Sequence, residues 1–143
     1  MKHNSSGVSL VEIMLVISIA GILTSFGTIS FSPLWNKQQL NNATNDLKGR
    51  IQVLRMEAIL KSKSFRMSVN EPQLIVESKE IGSWSFDRKI ALNPDVTISY
   101  SGYLYFHNRG FMSPKTIKIK RGEYCKSIVV NINGRIRESE VYY

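Results

Sequence analysis

The chain changes its hydrophobic rhythm twice. From Val8 to Phe31 apolar residues run almost unbroken, and Glu12 is the single ionisable side chain among them. Ile13 to Phe31 alone would measure about 28 Å as a helix at ~1.5 Å per residue, close to a hydrocarbon core of about 30 Å. From Leu34 to about Lys61 the sequence turns polar. Leu40, Leu47, Ile51, Leu54 and Ala58 nevertheless recur at three-, four- and seven-residue steps, which predicts a helix with one apolar stripe. Lys37, Gln38, Asn42, Lys48, Gln52 and Arg55 fall on its other face, while Gly21, Gly27 and Pro33 punctuate the stretch before it.

Past Ser64 the period drops to two. Phe65–Val69 and Gln73–Glu77 alternate on either side of Asn70-Glu71-Pro72, which predicts a hairpin. Gly82–Phe86, Val96–Tyr100 and Tyr103–Phe106 are shorter strand candidates, the first two flanking a loop that contains Pro94. Thr116–Lys120 alternates with its lysines outward, Arg121-Gly122 turns, and Ser127–Ile132 is the most apolar strand. Asn133-Gly134 predicts a two-residue type I′ hairpin, because both of its central positions need positive φ. Arg135–Glu138 then returns. One long helix followed by short strands is an α+β plan, with an antiparallel sheet packed on the helix.

The N-terminal run admits three readings. As a secretory signal it has Lys2 as its basic region and Ser18-Ile19-Ala20 as a cleavage site, but Glu12 interrupts the core and the apolar run continues past the cut. As a plain membrane anchor its length is explained, but not Gly7 or Glu12. The third reading rests on Gly7-Val8-Ser9-Leu10-Val11-Glu12 followed by the apolar flank. This pattern resembles the prepilin signal of type IV pilins and type II secretion pseudopilins. The resemblance implies cleavage by a membrane peptidase after Gly7, N-methylation of Val8, and a role for Glu12 in placing the subunit in a filament. It also implies a division into a leader at 1–7, a transmembrane and filament-core helix at 8–33, and a globular head at 34–143. The spine would be one continuous helix of about 50 residues, roughly 75 Å long.

Length and composition leave room for one domain behind that segment: 143 residues, 43% hydrophobic and 21% charged. The net charge of +8 is uneven. Between Arg109 and Arg137 the only acid is Glu123, so the excess sits in the C-terminal part and favours nucleic acid or acidic lipid as partners. A solvated basic surface is the plainer alternative. Cys125 is the lone cysteine, which excludes an internal disulfide and a cysteine-based metal cluster. Among pilin-like chains, that points to a minor subunit or pseudopilin.

Three further stretches narrow the resemblance to the GspH/FimT family of minor pilins. Arg55-Met56-Glu57-Ala58-Ile59 is similar to its helix end, and Phe106-His107-Asn108-Arg109-Gly110 to its phenylalanine-to-glycine turn. Ile128–Arg137 is similar to its last strand and Gly-Arg-x-Arg ending. In the FimT-like subset that ending implies duplex DNA as a partner. Arg135 and Arg137, two apart on an extended segment, would share a face and clamp phosphate. Lys118, Lys120, Arg121 and Lys126 would widen the positive surface, whereas Glu138 and Glu140 stand close enough to neutralise it. Other implied partners are pilin or pseudopilin subunits, prepilin peptidase and inner-membrane lipid. The implied location is single-pass in the bacterial inner membrane with a periplasmic head, then at or near a filament tip.

No enzyme activity, cofactor, metal or small-molecule substrate is expected. Cys125 and His107 are of the residue types that form a nucleophile pair, and nothing in the sequence places them together. Glu71, Glu77 and Glu80 lack the Asp/Asn-Gly grammar of a calcium loop. The rival of a different class is a membrane-anchored or secreted periplasmic binding domain that does not polymerise.

Overall fold

The computed structural model describes residues 9–26 and 32–142. Two compact units emerge, Met1–Pro33 and Leu34–Tyr143. Within the first, helix α1 spans Leu10–Phe26. Every one of its described side chains is exposed, with Leu10, Met14, Ile17 and Leu23 more than half so. A helix that is apolar all round needs a non-aqueous surrounding or a partner. At 17 residues it measures about 26 Å. Among the described residues no helix is long and apolar enough to cross a membrane. Gly7, Val8 and residues 27–31 lie outside the described residues, and with them the start of the expected 8–33 span and part of its later half.

Helix α2 spans Ser32–Leu60 and from Leu34 on belongs to the second unit. Pro33 falls in its first turn, where a missing N–H costs nothing because that group has no intrahelical acceptor. Of the expected single spine, the described parts are α1 and α2, and the stretch between them, 27–31, lies outside the described residues. The stripe Leu40, Leu47, Ile51, Leu54 and Ala58 is buried to 2% exposure or less. The strands packed against it are β1 Phe65–Asn70, β2 Gln73–Glu80, β3 Ser83–Ala91, β4 Thr97–Ser99, β5 Leu104–Phe106, β6 Lys115–Arg121, β7 Tyr124–Val130 and β8 Ile136–Tyr142. They form two four-stranded antiparallel sheets rather than one, in the orders β3-β2-β1-β5 and β4-β6-β7-β8. Phe65, Met67, Leu74, Val76, Leu104 and Phe106 from the first sheet share one core with Ile117, Ile119, Ile128 and Val130 from the second.

Two expected boundaries moved. β3 runs on past Phe86 through Asp87-Arg88-Lys89 to Ala91, where the sequence predicts the loop that contains Pro94. Arg88 lies opposite Val76 and so faces α2, where its guanidinium binds the Glu57 carboxylate. Charged side chains on an edge strand also keep it from pairing with another chain. The last hairpin is not a type I′ turn. Asn131 N–H donates to Arg135 O, Gly134 N–H donates to Asn131 O (both 2.9 Å), and only Gly134 has positive φ, 75°. This is the three-residue loop that closes with a left-handed glycine. Asn131 initiates it, its side-chain oxygen accepting the Ile132 N–H at 2.7 Å.

Ion pairs fasten α2 to both sheets. Glu57 binds Arg88 on β3, and Lys48 Nζ donates to Glu138 on β8 at 2.6 Å. Hydrogen bonds from Arg88 hold the Glu57 carboxyl down to about 2, with Lys61 helping and burial opposing.

Candidate functional site

The sheet β4-β6-β7-β8 has one face on α2 and one outside, and strand alternation sorts its charges. On β6, Ile117 and Ile119 point into the core, so Lys118 and Lys120 stand on the outer face, exposed. Register carries the outer face across the sheet: Thr116 lies beside Val129 and Val129 beside Arg137, while Lys118 lies beside Ser127. Arg137 therefore shares a face with Lys118 and Lys120, and Arg135 follows the same alternation at the hairpin exit. Both arginines are exposed. Their Cα atoms are about 7 Å apart, as two residues of extended chain require.

Lys126 does not belong to this face. It has the parity of Ile128 and Val130, lies opposite Ile119, is 8% exposed, and stands 3.6 Å from Glu138. Its charge suggested a surface role, and its place in the alternation puts it against the helix. Arg121 is likewise half-buried, donating to Asn36 on α2 at 3.1 Å and pairing with Asp95 at 3.1 Å.

For Glu138 the same alternation removes the expected neutralisation, while the side chain of Glu140 lies outside what is described. Glu138 shares a face with Lys126, and Lys48 and Lys126 hold its carboxyl below the usual range. It is therefore directed away from the arginines. Among the described residues, Arg135, Arg137, Lys118 and Lys120 form no side-chain hydrogen bond or ion pair. The other sheet is a useful contrast. On its outer face Arg66 forks onto Glu77 at 2.6 and 3.0 Å and lies over the rings of Tyr103 (4.1 Å) and Trp84 (4.8 Å). A cation held that way is spent on the fold. Those of the β6–β8 face are not.

One residue with no assigned role in the sequence orders the region. Arg55, near the end of α2, donates from Nε to Gly110 O at 2.9 Å. Its guanidinium also lies directly under Gly134, where any added Cβ would overlap it. Two turns far apart in sequence are thus set on one arginine. The signal that could have found it is the coincidence of a helix-end arginine with two glycines that both need positive φ.

The remaining candidates stay apart. Cys125 is on β7 of one sheet, while His107 follows β5 of the other. Glu77 and Glu80 pair with Arg66 and Lys63. Among the described residues no three His, Cys, Asp or Glu side chains cluster as metal ligands. Glu12 is exposed in the first turn of α1, where a carboxylate complements the helix dipole.

Residues 2–28 match the prokaryotic N-terminal methylation motif, a span that includes Gly7, Val8 and Glu12. The fold is similar to that of the minor pseudopilin EpsH from the type 2 secretion system of Vibrio cholerae. That likeness has 15% identity, covers 73% of this chain and 96% of that one, and has a TM-score of 0.56. It is also similar to the type IV minor pilin FimU of Pseudomonas aeruginosa, with 18% identity, 75% and 92% coverage and a TM-score of 0.59. The chain has a prepilin-type N-terminus and the minor pilin fold. No curated protein matches it. Identities this low speak for the fold alone.

Proposed function

We propose that the chain is a minor subunit of a type IV pilus or type II secretion pseudopilus. The observation that carries this reading is the methylation motif at residues 2–28 in front of a head with the minor pilin fold. Prepilin peptidase removes Met1–Gly7 and N-methylates Val8. The apolar run then holds the subunit in the inner membrane with its head in the periplasm, and passes into the filament core at or near the tip. The all-round apolar surface of α1 supports a segment that is covered first by lipid and then by neighbouring helices. Glu12 sets the register there by pairing with a neighbour's positively charged terminus, since an unpaired charge in an apolar core is strongly unfavourable. Glu12→Ala should leave processing intact and abolish recovery of the subunit in sheared filaments. Wild-type recovery would remove Glu12 from assembly.

On the same reading the head binds duplex DNA through Arg135, Arg137, Lys118 and Lys120. Support comes from four unpaired cations on one face and from the turning of Glu138 toward Lys48. Contacts of this kind hold phosphate without reading sequence and weaken with salt. In gel shifts with the full chain in non-ionic detergent, Arg135→Ala with Arg137→Ala should lower affinity. It should also reduce the slope of log affinity against log salt by about two, near 0.9 per lost phosphate contact. An unchanged slope, or no shift by the wild type at low salt, would contradict it.

A further inference from the structure

Beside the basic face lies a second feature with no part in duplex binding. The loop after β5 and the β7–β8 hairpin enclose a groove of about 620 Å³, walled by Phe111, Ile132 and Pro114 and edged by His107, Asn108 and Arg109. Its size is that of a small-ligand site. Phe111 and Ile132 are 49% and 51% exposed, a large apolar area for two neighbouring loop tips. The groove is built rather than incidental. Met112 is buried in its floor, and its N–H donates to Ile132 O at 2.9 Å, tying one loop to the other. His107 N–H donates to Phe111 O at 2.8 Å, which fixes the turn.

Pro114 also lines a smaller groove of about 250 Å³ that is bordered by Arg135 and Arg137. Across the pair of grooves the lining includes three arginines and no acid. The side chains of His107, Asn108 and Arg109 make no hydrogen bond or ion pair among the described residues, so their donors and acceptors are free for a ligand. An apolar cleft with an aromatic wall, amide and imidazole groups at its rim and guanidinium groups on either side has the chemistry that receives a nucleobase from a strand held by its phosphates. A peptide would need partners for its own backbone and gains little from so many cations.

We propose that this groove takes unpaired bases, so that the head prefers DNA with a single-stranded end over closed duplex. The inference rests on the DNA reading of the adjoining face. Its test uses fluorescence anisotropy with the full chain in non-ionic detergent and two probes of equal phosphate number. One is a duplex capped by hairpin loops too tight to offer free bases, and the other is a duplex with a short single-stranded overhang. The overhang should bind about tenfold tighter, the order expected for one stacked base. Phe111→Ala should bring the two affinities together, and so should Asn108→Ala, an exposed position whose change leaves the core untouched. Equal binding of both probes by the wild type would overturn the groove and leave the duplex reading standing, whereas binding of neither would overturn both. A preference that survives both substitutions would also overturn the groove.

Discussion

Single residues divide here into those whose charge is consumed by the fold and those whose charge is left over. Glu57, Glu77 and Glu138 each have a basic partner, and in each the carboxyl is held below its ordinary range chiefly by a hydrogen bond from that partner. For Glu57 the value is about 2 against the usual 4.5. A depressed folded value means that the protonated form is disfavoured by folding. The contribution is therefore complete above about 4.5 and disappears as pH falls toward 2. Arg88 is more than a third exposed, so solvent screens the pair, and about 1–2 kcal/mol is the reasonable size. Denaturant unfolding of Glu57→Gln should show that loss at pH 7 and a much smaller difference from wild type at pH 2.5. Equal differences at both pH values would contradict the assignment. None of this pairing was visible in sequence. Partners such as Glu57 and Arg88 are 31 positions apart, and nothing but the fold brings them together.

At the scale of elements, the legible parts were those with a strong local period. The α2 stripe, the β1–β2 hairpin and the lysine-out alternation of β6 all stand where the pattern put them. So does the left-handed glycine at 134, although it closes a three-residue loop rather than a two-residue one. The failures share a cause. The tail of β3 falls where only a loop is predicted, and Lys126 is expected outside for its charge, yet in a sheet the side-chain period decides which charges face water. Arg88 and Lys126 point inward and are paired there, whereas Lys118, Lys120, Arg135 and Arg137 point outward. The partition into two sheets was illegible for a similar reason. Strand pairing joins β1 to β5 and β4 to β6 over separations that no local pattern records. Arg55 lies in a stretch whose helix end is legible, but its task of seating Gly110 and Gly134 depends on three segments meeting.

The whole molecule combines an apolar N-terminal segment with a head whose basic face is free. On the proposed reading each part makes sense of the other: the segment would deliver the head to a filament, and the head would give the filament an anion-binding surface. The rival account keeps the head and removes the filament, treating the first 30 residues as an anchor or a cleaved secretory signal. The two differ first at one covalent position. Intact-mass measurement and N-terminal sequencing of the full chain, recovered from membranes of cells that also make prepilin peptidase, would decide between them. Our account predicts a mature chain that begins at N-methylated Val8. A chain that begins at Met1, or at Gly21 after secretory cleavage, would contradict it.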